Sequence, residues 1–253
     1  MSSNRPLSYA SALSGRPSTS QQNREHHPPD KASALHPTAS TTPPTAGRPT
    51  ERTPCAPPHP RRTSPPPQTF HTPRTSSPEQ AVYVLTLTTT PSIHGPINTL
   101  RKRYFPQHLN RTPAHLTLFH ALPHSRLETL TSTLETLCTS TAPFAITTGA
   151  PFRMRRGVGV NVGRGAEQAK RVHRELREAW MEFLSEQDAG GWKPHWTVQN
   201  KVDSEEEAAG AYEEVRGGFK GAEGMATGVG LWKYVKGRWV FEREFGFGGE
   251  EGG

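Results

Sequence analysis

The chain has only two cysteines, Cys55 and Cys138, in 253 residues. That excludes a disulfide scaffold and a four-cysteine zinc framework. No apolar run approaches 18 residues, which excludes a membrane-spanning helix. The first 24 residues lack the apolar core of a secretory signal peptide. The cytoplasm or the nucleus is therefore the expected location. Hydrophobic residues make up only 32% of the chain and the mean hydropathy is -0.73, poor values for a globular protein of this length.

Proline is what the chain has in excess, and it is unevenly placed. Of 25 prolines, 17 lie in residues 1–80. That stretch, rich also in Ser and Thr, cannot bury enough apolar surface to offset its chain entropy, and it reads as a disordered tail. Residues 81–247 read as one folded domain, and the glycine-rich residues 248–253 as a frayed end. The formal net charge of +7 divides into +5 for residues 1–80 and +2 for the rest. The tail is thus expected to be a mildly basic linker, or to attract RNA weakly and without regard to sequence.

The folded part reads twice in the same order. Ala81–Leu87 is apolar and β-branched, a strand. Ile93, Ile97, Leu100 and Tyr104 follow at helical spacing, with Pro96 near the expected helix start. Next come the short strand His115–Phe119 and a capping box, Ser125 to Glu128. It opens a helix striped by Leu127, Leu130, Leu134 and Leu137, and Phe144–Met154 then reads as extended. The second pass has Val158, Val160 and Val162 alternating, then a helix with Ala169, Val172, Leu176, Trp180 and Phe183 on one face. The strand His195–Gln199, a capping box from Ser204 to Glu207, its helix, and two strands turning at Lys236-Gly237 complete it. His115 and His195 are 80 residues apart, and Ser125 and Ser204 are 79 apart. Such a repeat suggests two similar lobes packed about a pseudo-twofold axis, with equivalent strands facing each other across a cleft.

In a strand, residues i and i+2 share a face. His115 therefore sits with Thr117, and His195 with Thr197, while Leu116, Leu118, Trp196 and Val198 face a core. Two imidazoles and two hydroxyls converging in one cleft suit phosphodiester chemistry. One histidine serves as base and the other, protonated, as acid, and the threonines donate to non-bridging phosphate oxygens. No cofactor or metal is expected, because no Asp/Glu cluster is placed to hold Mg²⁺ and neither His115–Phe119 nor His195–Gln199 contains His-x3-His or His-Glu-x-x-His spacing.

His115-Leu-Thr-Leu118 and His195-Trp-Thr-Val198 resemble the paired H-x-[ST]-hydrophobic motifs of the two-histidine (2H) phosphoesterase superfamily. The flanking segments, Pro113–Pro123 and Gln187–Val202, are similar to its 2'-5' RNA ligase-like branch. The resemblance covers about residues 81–247. It implies a bilobal α+β fold, with antiparallel sheets lining a central cleft and helices outside, and action on 2',3'-cyclic phosphate or 2'-5'-linked RNA or nucleotides. It also implies His115, Thr117, His195 and Thr197 as the catalytic set. The alternative function is a catalytically silent RNA- or nucleotide-binding module on the same fold. RNA ends or small cyclic nucleotides are the expected partners, with a monomer as the expected state.

Further candidates for substrate contact are Tyr83, Arg153, Trp192 and Lys201. Three have a plainer alternative: Tyr83 in the core, Arg153 on a solvated turn with Arg155 and Arg156, Lys201 as a surface lysine. Trp192 has the shape to stack on a base. Simple alternation places His120 on the Leu face, as a structural residue or at the strand end. Gly157–Gly165 fails the nucleotide-loop patterns, since position 168 is Gln168 and no Gly-Lys-Ser/Thr follows.

Overall fold

The computed structural model describes residues 71–249. The expected tail up to residue 70, with Cys55, and the glycine-rich end from 250 lie outside the described residues. The last stretch before the first strand touches the domain. The Arg74 backbone N–H donates to the Phe183 carbonyl at 3.0 Å, and the Glu79 carboxylate accepts from the Ser125 backbone and hydroxyl.

Seven strands and five helices follow among the described residues. The first half holds β1 (Val82–Thr89), α1 (Pro91–Tyr104), β2 (Leu116–Pro123), α2 (Leu127–Ser140) and β3 (Phe144–Met154). The second holds β4 (Gly157–Val162), α3 (Ala166–Trp180), the short α4 (Glu186–Ala189), β5 (His195–Gln199), α5 (Glu205–Gly218), β6 (Glu223–Val235) and β7 (Arg238–Gly246). All pairings are antiparallel, in the order β2-β1-β6-β3-β4-β5, with β7 added to β6.

That order reads the same from either end once each half is numbered by itself. The repeat is therefore present, but the lobes are not the two consecutive halves. The third strand of each half crosses over: β6 pairs with β1, and β3 pairs with β4. β3 itself joins both lobes, pairing with β6 over Phe144–Thr147 and with β4 from Thr148 onward. Each lobe thus needs a strand from the other half to complete its sheet.

The apolar faces meet in one core. Ile93 and Ile97 of α1, Leu130 and Leu134 of α2, and Leu176 and Trp180 of α3 have no exposed surface, like Leu85, Val160, Trp196 and Val198 of the sheet. This burial is the main stabilising term. Trp196 is core, as its alternation with His195 requires.

Three local expectations are corrected. α1 begins at Pro91, so Pro96 lies inside it, where it leaves the Ser92 carbonyl without its usual donor. Ser125 does not cap α2. Residues His124–Arg126 form a 3-10 turn, the helix begins at Leu127, and the Ser125 hydroxyl is taken by Glu79 at 2.7 Å. Phe183 lies beyond the end of α3, although it is buried. Ser204 does cap α5, accepting from the Glu207 backbone N–H.

The β4–β5 contact leaves no room for a side chain at Gly157. A Cβ there would meet the Gln199 carbonyl oxygen at 2.0 Å. Gly157→Ala is therefore expected to push β5 away and to lower stability by about 1–3 kcal/mol, read as a lower urea midpoint. An unchanged midpoint would contradict this packing.

Candidate active site

His115 stands one residue before β2, and His195 is the first residue of β5. Both line one cleft of about 770 Å³, together with Thr117 and Thr197. The two imidazoles are held in the same way. Nδ1 of His115 lies 2.7 Å from the Pro113 carbonyl, and Nδ1 of His195 lies 2.8 Å from the Lys193 carbonyl. A carbonyl can only accept, so Nδ1 carries the proton in both rings. Nε2 is left as the nitrogen that meets a ligand. Each carbonyl belongs to the residue two positions earlier, so the short turn entering the strand sets the tautomer. The Trp239 ring lies 4.5 Å from that of His115, and the Phe152 ring 5.5 Å from that of His195.

The backbones of the two threonines are held across the repeat. Arg101, from α1 in the first half, donates through Nη1 to the Thr197 carbonyl of the second half at 2.7 Å. Trp192, from the second half, donates through Nε1 to the Thr117 carbonyl of the first at 2.8 Å. Arg101 is 3% exposed, and its other hydrogen bonds go to the Asn110 side chain and the Thr112 carbonyl. Its charge therefore rests on neutral oxygens. Trp192 is stacked on the His173 ring, which is stacked in turn on Phe119, both at 4.7 Å.

These surroundings hold the imidazoles towards the neutral form. Burial, then the Arg101 charge, take His115 from 6.5 down to about 4, against the opposing effect of the Pro113 carbonyl. Burial also lowers His195, with the Lys193 carbonyl again opposing. His173 is pushed down to about 4 by burial.

The remaining candidates divide. Trp192 and Lys201 line the cleft. Tyr83 does not. It is 1% exposed, and its hydroxyl is hydrogen-bonded to His124 Nδ1 at 3.1 Å. Arg153 does not line the cleft either, and its guanidinium lies 3.7 Å from Glu205. Arg156 pairs with Asp203.

His120 corrects the alternation reading. The β1–β2 register slips between Tyr83 and Leu85 and again between Leu85 and Thr86, with the extra residues on β2. These bulges turn His120 to the cleft instead of the Leu face. Asp188, 4% exposed, receives the backbone N–H groups of His120 and Ala121 and lies 3.2 Å from His120 Nδ1. Burial works against the Asp188 carboxylate, yet these bonds hold its pKa below the ordinary value. A bulge leaves no periodic signature, and Asp188 lies 68 positions away, so neither was readable from the sequence.

The lining is strongly basic. Arg101, Arg111, Lys193, Lys201 and Lys236 contribute, and Asp188 is the only carboxylate among the described lining residues. Among the described residues, no group of three or more His, Cys, Asp or Glu is arranged to hold a metal ion.

A family model described as the 2'-5' RNA ligase superfamily matches residues 89–238, more than half of the chain. The chain belongs to that superfamily. No curated protein sequence matches it. Among solved structures, TT0787 of Thermus thermophilus is similar at 17% identity and a TM-score of 0.51, covering 67% of this chain and 100% of that one. That likeness shows the fold. E. coli LigT, solved in complex with 3'-AMP, is 13% identical with a TM-score of 0.47, covering 66% and 98%. LigT in complex with NADP+ is 15% identical with a TM-score of 0.47, covering 67% and 99%. No described helix is long and apolar enough to cross a membrane.

Arg101→Met removes both a charge and a bracket. Because that charge lowers His115, the His115 imidazole is expected to titrate closer to 6.5 in the variant, as read by NMR. Stability is expected to fall by about 1–3 kcal/mol, since buried carbonyls lose their donor. A His115 titration that does not move upward would refute the electrostatic link.

Proposed function

We propose that this 2'-5' RNA ligase superfamily member is a metal-independent phosphoesterase. It acts on 2',3'-cyclic phosphate or 2'-5'-linked RNA or nucleotides through histidine general acid–base catalysis. The observation that carries the reading is the matched pair His115 and His195. Each is fixed through Nδ1 with Nε2 left for a ligand, and each stands beside a threonine in a basic cleft.

The chemistry follows from that pair. Nε2 of one histidine takes a proton from water, and the oxygen attacks phosphorus in line. The P–O bond to a ribose oxygen breaks, and the other histidine, doubly protonated, gives its Nε2 proton to that oxygen. The Thr117 and Thr197 hydroxyls donate to the non-bridging oxygens as charge gathers there, and the Arg101 charge favours the same build-up. With a 5'-hydroxyl in place of water, the same groups run the step in the joining direction. No step requires a metal.

The full-length protein with EDTA present is expected to turn over 2',3'-cyclic nucleotides or a 2'-5'-linked dinucleotide. His115→Ala and His195→Ala should each lower the rate by about 10²–10⁴. Nucleotide binding without turnover on any of these substrates would instead support the silent binding module. Turnover untouched by either mutation would sink the mechanism.

The pH profile has a fixed sign. The base must be neutral and the acid protonated, and both imidazoles are lowered from 6.5 in the free protein. The maximum of the kcat/KM bell is therefore expected on the acid side of 6.5, whichever histidine is the base. In the complex, the substrate's negative charge raises both, so the kcat profile should lie at higher pH. A kcat/KM maximum well above 6.5 would contradict the assignment of these two groups.

A further inference from the structure

We propose that Arg111, Lys201 and Lys236 form a second phosphate subsite at the cleft mouth. It takes the phosphodiester next to the reacting one in a single-stranded RNA. The inference rests on the function proposed above, and it makes an RNA strand, not a mononucleotide, the better substrate.

The three cations come from separate parts of the chain. Arg111 lies in the segment between α1 and β2, Lys201 just after β5, and Lys236 in the turn between β6 and β7. All line the cleft. Nη1 of Arg111 lies against the hairpin tip, 3.6 Å from where a Cβ on Gly237 would be. The Arg111 charge also reaches Lys201, whose ammonium is lowered first by burial and then by Arg156 and Arg111. Bringing like charges together is unfavourable, and it is offset when an anion sits among them. The one carboxylate of the described lining, Asp188, is already engaged by His120 and Ala121.

Backbone conformation singles out the same place. Among the described residues, only Lys201 (φ 66°) and Lys236 (φ 45°) are non-glycine residues with positive φ. Lys236 and Gly237 (φ 86°) together make a two-residue hairpin turn in which both residues are left-handed. Asn, Asp or Gly fits the first position of such a turn with less strain than Lys. Non-glycine residues held in this region concentrate at ligand sites. Both strained positions carry a lysine, and both lysines face one cleft.

The cleft also has room for a longer ligand. Its volume of about 770 Å³ lies in the upper part of the roughly 300–1,000 Å³ typical of small-molecule sites. Trp239, three residues past Lys236, reaches His115, so the hairpin runs from the reacting centre to the mouth. A strand lying along it would put one phosphate at the histidines and the next among the cations.

The test uses the full-length chain and its Arg111→Gln, Lys236→Asn and double variants. Asn tolerates left-handed backbone, so the turn should persist, and an unchanged urea midpoint checks this. Two substrates are compared, a 2',3'-cyclic mononucleotide and an octaribonucleotide ending in a 2',3'-cyclic phosphate. The double variant is expected to raise KM for the octaribonucleotide about tenfold, and at least about fivefold more than for the mononucleotide. Parallel changes in both substrates, or none, would overturn the subsite. A second arm needs no turnover. Binding of a labelled octaribonucleotide ending in a 3'-phosphate is measured against salt concentration. Each single-strand phosphate contact contributes a slope of about 0.7, so the double variant should lose at least about that much. An unchanged slope would also overturn the subsite. If the wild-type protein turns over neither substrate, nor a 2'-5'-linked dinucleotide, the proposed function fails, and the binding arm still decides the subsite.

Discussion

The cross-bracing of the two motif threonines is the constraint on which the site depends. Arg101 fixes the Thr197 carbonyl and Trp192 fixes the Thr117 carbonyl, each from the opposite half of the repeat. Neither bond adds a group that the proposed mechanism uses. Both fix the backbone that carries one, and the proposed in-line displacement needs positions held to a fraction of an ångström. The strand exchange has the same effect at larger scale. β6 completes the lobe of β1 and β2, and β3 completes the lobe of β4 and β5. The two motif strands are therefore referenced to one another by sheet hydrogen bonds as well as by side chains, and the cleft cannot form from one half alone.

The same economy appears in the histidines. An imidazole on a strand has two nitrogens to satisfy, and a free ring would sample both tautomers. Here the carbonyl two residues earlier takes Nδ1 in each motif. Arg101 then adds an electrostatic role to its mechanical one. It is a buried guanidinium held by neutral oxygens and the Phe105 ring, close enough to lower His115. One residue thus positions the second motif and adds to burial in lowering the proton affinity of the first.

Much of this was legible in the sequence, and the illegible part has a common cause. Period-two alternation placed Thr117 and Thr197 with the histidines and put Trp196 in the core, because an unbroken strand obeys that rule without exception. The repeat was legible because its elements recur at nearly constant spacing. Alternation failed at His120, where bulges on β2 shift the register. Local pattern also failed at Ser125, where a carboxylate from 46 positions earlier competes for the hydroxyl. Tyr83 shows the limit of residue type as a guide: a tyrosine on the first strand suits cleft or core, and His124 decides for the core. The strand exchange was hidden because order and spacing do not say which edge a third strand joins.

Charge illustrates the difference between a sum and a field. Residues 81–253 carry a balance of only +2, which on its own suggests recognition by the paired histidines and threonines without a basic surface. Folding separates the signs. Five lysines and arginines line one cleft with a single carboxylate among the described residues. Acidic residues such as Glu205, Glu206 and Glu207 gather in the first turn of α5, where the helix dipole favours them. A nearly neutral domain therefore presents a concentrated positive potential where phosphate chemistry would occur. A cleft with low-dielectric walls focuses such a field and draws in anionic ligands. Arg101 belongs to both sets: its guanidinium adds to that field and holds the Thr197 carbonyl in place.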